Sequence, residues 1–465
     1  MFFIKRVLAF TVIFVALASI GLFVFSLPSH EVQIRLDPSY DGLFTEKQLK
    51  ELGHIEQVET YNTEVSQAYK NTDGSKTIYI FASPIRYRDE NGASHDIDTR
   101  IDNVNDPAYR NLGYIYKVAD NDIQSFFPKA LDTTTGFLLQ KDYSCQIGIN
   151  TNKPIASKYK SSSNFIDESK KMVVYQNVWG KGSSLNAYPT RLGINLEIKL
   201  QQSSSNVLSF WLEVDEGLKL VKSNGGYLTI VSNDYTGDSP DQIVSVIQLP
   251  LLKDEKGNVF LNNRVDFTKV DARRYEINFS FDENICAKET TAFISFEMRR
   301  DKQPDNSIYS GLPDLTYSYL SNIAVIGNQE LIGTGRLMIR YKLPEIVKSF
   351  DVSKITAADF CTYSLTSSDQ VLSLSPILED WCSLTGNWNK SYRYGPAVAS
   401  SVGKRGELNF DITQSVKNWC LDKNGTLEHN GLLLASEKEM MGNFDIILSN
   451  DNSIFNTRTI INVKE

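Results

Sequence analysis

The chain has 465 residues, 41% of them hydrophobic and 22% charged, so it is too long for one ordinary domain and is not wholly disordered. Its 48 basic and 56 acidic residues give a net charge of −8, which argues against a nucleic-acid-binding protein. Five cysteines exclude a disulfide-stapled framework, whereas 22 Tyr and 24 Phe favour strands. We therefore expect a strand-rich, multidomain protein with no nucleic-acid partner.

The N-terminus predicts export. Lys5 and Arg6 precede an uncharged, mostly apolar run over residues 7–27, and a helix of that length spans a bilayer core of about 30 Å. The basic pair keeps the N-terminus in the cytoplasm, which places the rest of the chain outside. An A-x-A sequence in the run is also typical of a cleaved signal peptide, after which the protein would be secreted or held in the cell wall. The length of the run favours a membrane anchor over residues 1–28, with an extracellular bulk.

Three further segments follow the N-terminal helix. Residues 29–70 are polar and acidic, which predicts a linker or stalk. Residues 71–300 carry strand patterns and predict an irregular β-rich middle domain, and residues 301–465 predict a β-sandwich of jelly-roll type. The predicted fold class is all-β, apart from the N-terminal transmembrane or signal helix.

Local patterns support the strands of the middle domain. Apolar and polar residues alternate over 194–200 and again over 275–281, which indicates strands with one wet face. The Asp89 to Gly92 turn predicts a hairpin, because its Asn-Gly pair supplies the positive φ that such turns need. Beyond the N-terminus no long 3.6-residue apolar period occurs, which argues against βαβ units.

A series of short motifs follows in the C-terminal segment. They are R-L-M-I-R-Y-K-L-P at 336–344, the Trp381 and Trp388 pair, F-D-I-T at 410–413 followed by Trp419, N-G-L-L-L at 430–434, and a closing strand pair at 444–463. In this order they make residues 307–465 resemble the DNRLRE domain of large secreted bacterial and archaeal proteins. Members of that family are similar to jelly-roll carbohydrate-binding modules, some of them associated with acidic polysaccharides such as alginate.

The resemblance implies both a partner and structural residues. The implied partner is a polysaccharide or cell-wall glycan. The motif residues to which it gives structural roles are Arg336, Trp381, Trp388, Asp411, Thr413 and Trp419.

The middle segment has a weaker resemblance of its own. Residues 57–297 resemble the region before DNRLRE domains in wall-associated and RHS-type surface proteins, through 73–74, 83–92, 96–98, 114–117 and 123–128. The large RHS proteins continue into tyrosine-aspartate repeats and a toxin. Neither occurs in this sequence, which argues against toxin delivery.

Sequence motifs for catalysis, cofactors and metals are missing. The four histidines are scattered, with no metal-ligand spacing, and no nucleophile elbow or phosphate-binding loop occurs. We therefore predict no catalytic residue, no cofactor and no metal. Glu379-Asp380 and Asp411 are candidate acids for the carboxylate pair of a glycosidase. The preferred interpretation is that these acids lie on the solvated surface. For Asp411 we prefer a structural role, in which its side chain caps the next turn.

One loop has the residue types that bind sugars. Tyr rings stack on pyranose faces, and basic side chains meet hydroxyl or carboxylate groups, so Lys390, Tyr392, Arg393 and Tyr394 form the candidate carbohydrate-binding cluster. Trp381, Trp388 and Trp419 are interpreted as core residues, because tryptophan is highly buried on average.

The cysteines leave two interpretations open. Cys382 and Cys420 each follow a tryptophan, and matching strand phases would allow a disulfide between them. Free, partly buried cysteines are the preferred alternative, since the total of five is odd.

The sequence thus favours a non-catalytic, exported cell-surface or wall-associated protein. Its C-terminal β-sandwich is expected to bind polysaccharide or to pack in the envelope. One alternative is a polysaccharide-processing enzyme that uses carboxylates or a Tyr/Arg pair. The other is a structural module that binds proteins within a larger surface assembly.

Overall fold

The computed structural model describes the chain from residue 44 onward, with gaps. The described residues are 44, 46–81, 84–150, 164–166, 172–179, 181–200, 207–222, 227–236, 242–248, 250–254, 259–261, 264–281, 290–298, 305–309, 323–329, 333–339, 343, 345–379, 381, 388–422, 430–448 and 457–464. Strands dominate them and pair in antiparallel fashion, so the all-β prediction is confirmed. Residues 39–465 form one compact unit.

The predicted membrane segment at 7–27 lies outside the described residues. Within the described part of the chain, no helix has the length and apolar composition needed to cross a bilayer.

Residues 46–96 begin the described chain. Their elements are helix α1 (Glu46–Glu51), and strands β1 (His54–Gln57), β2 (Ser66–Asn71), β3 (Lys76–Phe81), β4 (Arg86–Arg88) and β5 (Ser94–Asp96). Strands β4 and β5 pair as the hairpin predicted from the Asn-Gly turn, and Gly92 has a φ of 80°. Residues 46–70, which were predicted to belong to a stalk, therefore carry a helix and two paired strands.

Residues 98–298 supply most of the strands. They are β6 (Asp98–Asn103), β7 (Tyr114–Asp120), β8 (Gln124–Pro128), β9 (Phe137–Gln140), β10 (Ser144–Ile149), β11 (Asn164–Ile166), β12 (Val173–Gln176), β13 (Ser184–Pro189), β14 (Gly193–Leu200), β15 (Val207–Val214), β16 (Leu218–Lys222), β17 (Leu228–Ser232), β18 (Ile243–Ile247), β19 (Leu251–Asp254), β20 (Val259–Leu261), β21 (Val265–Lys269), β22 (Arg274–Ser280) and β23 (Thr290–Met298). The short helix α2 (Pro107–Asn111) lies between β6 and β7.

Two sheets divide these strands in the described chain. One has eight strands in the order β21-β22-β15-β10-β9-β8-β7-β6, and the other has ten, with β11-β12-β13-β14-β23-β18-β17-β16 as its main path. Alternate residues of β14 and β15, such as Leu196 and Leu212, are fully buried in one shared core. The sheets therefore pack face to face. The alternation at 194–200, which predicts a strand with one wet face, matches β14.

The C-terminal elements follow. They are β24 (Asp305–Tyr309), β25 (Ile323–Gln329), β26 (Gly333–Ile339), α3 (Glu345–Lys348), β27 (Ile355–Ser364), β28 (Val371–Pro376), β29 (Ala399–Val402), β30 (Gly406–Asp411), α4 (Thr413–Leu421), β31 (Leu432–Ser436), β32 (Phe444–Leu448) and β33 (Arg458–Val463). Helix α4 was not predicted. It buries Val416, Trp419 and Cys420 at i, i+3 and i+4 spacing against the sheet.

The first and last strands of the described chain share one sheet. Its main path of described strands is β1-β2-β3-β33-β27-β32-β25-β26-β31-β28-β29, with β24 on β26 and β30 on β27. Strand β3 pairs with β33 along its whole length, from Lys76 opposite Val463 to Phe81 opposite Arg458. We call this the terminal sheet. Strands from 54–81 and from 305–463 build it together, and the strands of the other two sheets lie between these segments in the sequence.

The core beneath the terminal sheet needs both segments. Ala68, Ile78 and Ile80 from the N-terminal strands are at most 1% exposed and pack in the same cluster as Phe360 and Ile461. The terminal sheet also reaches the core of the other two sheets, since Val325 and Ile446 are buried within that core.

One carboxylate is buried without a cationic partner among the described residues. Asp445, on β32, is 0% exposed and accepts hydrogen bonds from Ser364 Oγ at 3.2 Å, Thr366 Oγ1 at 3.4 Å, Gln370 Nε2 at 2.8 Å and Ser368 Oγ. Several donors to one carboxylate offset the cost of removing its charge from water. These bonds tie the 364–370 loop to the end of β32.

A chain of hydrogen bonds crosses the other end of the terminal sheet. His54 Nδ1 lies 2.6 Å from Asn71 Oδ1, and its Nε2 lies 2.8 Å from the Tyr79 hydroxyl. Asn71 Nδ2 donates to Thr77 Oγ1 at 2.9 Å, which donates to Asn462 Oδ1 at 2.8 Å. The Asn71 Oδ1 atom can only accept a hydrogen bond, so the neutral His54 ring carries its proton on Nδ1 and donates it to Asn71. The other ring nitrogen of His54, Nε2, then accepts from the Tyr79 hydroxyl.

This buried histidine predicts a pH dependence of stability. Burial lowers the pKa of His54 below 6.5, with the Asn71 hydrogen bond opposing the shift. The unfolded chain therefore binds more protons than the folded one at acidic pH, and the contribution of His54, present above pH 6.5, is lost as pH falls towards the folded pKa. We expect the urea midpoint to fall more between pH 7 and pH 5 in wild type than in His54→Gln, which keeps a neutral polar group. An equal fall in both proteins would contradict the prediction.

Candidate functional site

The predicted sugar-binding loop lies along the edge of the terminal sheet. Its chain runs antiparallel to the end of β28: Leu378 N donates to Arg393 O and Gly395 N donates to Pro376 O, both at 2.8 Å. An isolated β-bridge pairs Tyr394 with Ile377. These backbone bonds hold the loop on a rigid strand, which is the support that a binding residue needs.

Arg393 is fixed by a single carboxylate. Glu379 Oε1 accepts from the Arg393 backbone N–H at 2.9 Å, and Oε2 accepts from Arg393 Nε at 3.2 Å. The backbone hydrogen bond is the main cause of the lowered pKa of Glu379, which therefore stays ionised. The pair neutralises Arg393 although that side chain is 75% exposed.

A second arginine lies beside the same loop. Arg336, on β26, donates from Nε to Glu439 Oε1 at 2.7 Å and from Nη2 to Oε2 at 3.1 Å, a bidentate pair. Its guanidinium lies 4.6 Å from the centroid of the Trp388 ring, and it also contacts the Tyr394 hydroxyl. Burial disfavours the charge of Arg336, but Glu439 and Tyr394 outweigh it and raise the pKa of the guanidinium.

The backbone of Glu439 adopts a sparsely populated conformation. Its φ is 43°, in the left-handed region that non-glycine residues seldom occupy. The loop that carries it joins β31 to β32, and Ser436 Oγ accepts from the Glu439 N–H at 3.3 Å. A strained residue holds its carboxylate on Arg336, so this contact is built into the fold.

The other predicted residues divide between core and surface. Trp381 is 5% exposed in a small cluster with Met338, and Trp388 and Tyr392 pack partly buried against that cluster. Trp419 is 7% exposed on α4. Tyr394 is 47% exposed, and Lys390 is exposed as well.

The structure therefore brings together part of the predicted cluster with residues that the sequence did not suggest. One face of Trp388 is covered by Arg336, whereas Tyr394 keeps a large exposed surface. Glu379 was considered only as an acid of a catalytic pair, and Glu439 was not considered. We call this group the Tyr394 patch; its residues are Arg336, Glu379, Arg393, Tyr394 and Glu439.

A pair of carboxylates lies on another strand pair. Asp411 on β30 is directly opposite Asp359 on β27. The Thr413 hydroxyl donates to Asp411 Oδ1 at 2.6 Å and its N–H donates at 2.9 Å, and these bonds lower the pKa of Asp411. Burial and the charge of Asp411 raise the pKa of Asp359. Opposite shifts in two facing acids are the condition that general acid–base chemistry uses.

Neither the cysteines nor any cluster of metal-ligating side chains forms a further candidate site among the described residues. Cys145 and Cys361 are buried free thiols, and burial raises the pKa of each to about 12. Cys420 is buried on a helix, so strand phase does not relate it to Cys382, which lies outside the described residues. Within the described ranges, no group of three or more His, Cys, Asp or Glu side chains is placed to hold a metal ion.

Comparisons with known proteins do not assign the chain to a family. No protein-family model matches it, and no curated protein does. One solved structure with a match is the exo-β-1,3-galactanase of Phanerochaete chrysosporium bound to β-1,3-galactotriose, at 11% identity over 81% of this chain and 98% of that chain. The TM-score of 0.12 is too low to support a shared fold or function.

Proposed function

We propose that the chain is an exported, non-catalytic surface protein that binds polysaccharide through the Tyr394 patch. In this proposal the elements from 305 to 463 form a jelly-roll-type sandwich. The topology supports it: β29 and β30 are consecutive in sequence, yet β29 pairs with β28 and β30 pairs with β27. Strands that leave their sequence neighbour in this way are typical of Greek-key and jelly-roll folds.

The observation that carries the proposal is the surroundings of Tyr394. A half-exposed aromatic ring lies on the segment that pairs with the end of β28, and its hydroxyl contacts Arg336, which forms a bidentate pair with Glu439. An aromatic face packs against the apolar face of a sugar ring, and a carboxylate near it, such as that of Glu439, can accept hydrogen bonds from sugar hydroxyls. The immobile support keeps the entropic cost of binding low.

Replacing the ring tests the proposal. Tyr394→Ala is expected to weaken polysaccharide binding by the full-length protein about tenfold or more, because truncating one central aromatic anchor typically removes 2 kcal/mol or more. Binding is measured by affinity electrophoresis and calorimetry against a panel of cell-wall and capsular polysaccharides. The matched control is Tyr143→Ala, at a tyrosine that is 44% exposed in the turn between β9 and β10 and should leave binding unchanged. Equal affinity of the two variants would contradict the proposal.

The second candidate is a polysaccharide hydrolase, which the facing Asp359 and Asp411 favour. Asp359, with the raised pKa, would act as the acid, and Asp411 would be the ionised partner. Release of reducing ends by wild type, lost in Asp359→Asn but kept in Tyr394→Ala, would select this candidate. Binding by wild type and by Asp359→Asn without any product, weakened in Tyr394→Ala, would favour the non-catalytic proposal. A structural module would bind a surface protein and no glycan.

A further inference from the structure

Strand β29 forms the edge of the terminal sheet beyond β28. Gly403, directly after β29, donates its backbone N–H to Gln370 O at 2.7 Å, in the same register that pairs β29 with β28. Because the direction of the backbone hydrogen bonds alternates from residue to residue, the N–H and C=O groups of Ser400 and Val402 point away from β28. No described strand pairs with that side of β29. These groups therefore form a template for one more strand.

This edge lacks the features that usually protect one. Natural sheets block an edge with a charge, a proline or a bulge, and Ala399–Val402 contains none of the three. Residues 394–403 and 370–378 are also uncharged. Every other edge strand with described side chains carries at least one charge: Glu56 on β1, Arg86 on β4, Asp96 on β5, Asp98 on β6, Lys219 on β16, Asp266 on β21 and Glu407 on β30. Among these described edges, β29 alone is uncharged.

The side chains on the outer face of this edge are small or apolar. Ser400 is exposed, and Val402 is 49% exposed opposite Val371, which is 38% exposed. Ala399, which faces the other way, packs against the core beneath the terminal sheet. The core thus holds β29 by its inner face, whereas its outer face and its free backbone groups are open to contact.

The absence of charge favours a second copy of the same strand. Two copies of a chain with a net charge of −8 repel each other least where neither presents a charge. In an antiparallel pair of β29 strands, Ser400 can lie opposite Ser400 of the second copy, and the two residues then exchange both of their outward hydrogen bonds. The same register sets Val402 opposite Val398, which is 40% exposed, and such β-branched pairs stabilise a sheet.

We propose that the chain forms a two-fold dimer in which β29 of each copy extends the terminal sheet of the other. The axis passes between the two Ser400 residues and is perpendicular to the joined sheets. Tyr394 is six positions before Ser400, or roughly 20 Å along the edge at about 3.3 Å per residue. The two Tyr394 patches therefore lie roughly 40 Å apart on one face, where a single polymer that reaches both gains avidity. The dimer itself does not depend on the proposed function.

Sedimentation equilibrium of the full chain tests the dimer, with the apolar N-terminus in a density-matched non-ionic detergent. The mass of wild type is expected to rise from 52.5 kDa towards twice that value as the concentration increases from about 1 to about 200 μM. Ser400→Lys should stay monomeric, because two lysines would lie opposite each other. The matched control is Thr268→Lys, at an exposed hydroxyl residue of edge strand β21, which should dimerise like wild type.

A charge swap tests the register. Ser400→Glu alone should stay monomeric, whereas an equimolar mixture of Ser400→Lys and Ser400→Glu should dimerise, because opposite charges then face each other across the axis. A monomeric wild type at the highest concentration, or equal dimerisation of Ser400→Lys and Thr268→Lys, would overturn the proposal. Failure of the mixture alone would keep β29 as the interface and overturn the axis at Ser400. Tyr394→Ala should leave the dimer intact, so the dimer and polysaccharide binding are tested separately.

Discussion

A fragment that begins at residue 300 is expected to aggregate, whereas the same fragment co-expressed with residues 44–85 is expected to form a soluble 1:1 complex with that segment. Without its N-terminal strands, β33 becomes the edge of the terminal sheet, and its backbone groups from Arg458 to Val463 lose their partners on β3. The core also loses Ile78 and Ile80. Burying an isoleucine contributes about 1.5–3 kcal/mol, so roughly 3–6 kcal/mol is lost from a typical total of about 5–15 kcal/mol.

Size-exclusion chromatography with light scattering measures this outcome. In the co-expressed segment, Ile78→Asp and Ile80→Asp together should prevent rescue, because both side chains face the core. The control is Ile55→Asp, at an isoleucine that is 60% exposed on β1, which should rescue as well as wild type. A monomeric, cooperatively folded 300–465 fragment without the added segment would contradict the prediction. Binding assays on that fragment alone would then be meaningful.

Removing the buried carboxylate of Asp445 is expected to be among the most damaging single substitutions. Asp445→Ala removes the acceptor of Ser368 Oγ and one of the two acceptors of Gln370 Nε2, whereas Ser364 Oγ keeps the Thr366 carbonyl at 3.0 Å. Each unsatisfied buried donor costs about 1–3 kcal/mol, so the two donor groups left unsatisfied should lower the free energy of unfolding by roughly 2–6 kcal/mol. The measurement is the shift of the urea midpoint and melting temperature.

Two further variants isolate the cause. Asp271→Ala removes an exposed aspartate that accepts two backbone hydrogen bonds, and it should cost about 1 kcal/mol or less. Gly403→Ala should be as damaging as Asp445→Ala, because a Cβ at Gly403 would lie 2.2 Å from Asp445 Oδ2. If Asp445→Ala proves no worse than Asp271→Ala, the hydrogen bonds around Asp445 do not stabilise the fold.

Local patterns predict the strands well and the assembly poorly. The alternation at 194–200 matches β14, and the Asn-Gly turn matches the β4–β5 hairpin, because both depend on neighbouring residues alone. The pairing of β3 with β33 depends on residues hundreds of positions apart, and no local period encodes it. Helix α4 was missed because only three of its nine residues are buried apolar ones, too short a stripe to stand out.

The candidate site was predictable only in part for a similar reason. Tyr394 and Arg393 were found because their residue types are adjacent in the sequence. Glu439 reaches Arg336 across 103 positions, from a backbone conformation that no sequence pattern announces for a glutamate. The facing of Asp359 and Asp411 likewise depends on the register of β27 and β30. The period-two placement of Glu407, Asn409 and Asp411 on β30 was the available signal for a polar outer face.

The pairing of β3 with β33 also sets the order of events during synthesis. Thr77 and Asn462, whose side chains meet in the terminal sheet, are 385 residues apart. At roughly 5–20 residues per second, the ribosome needs roughly 20–80 s between making the two. During that interval β33, the strand with which β3 pairs, has not yet been made. The apolar faces of β1–β3 that the terminal sheet later buries stay exposed until then. The terminal sheet therefore closes only after translation of its last strand.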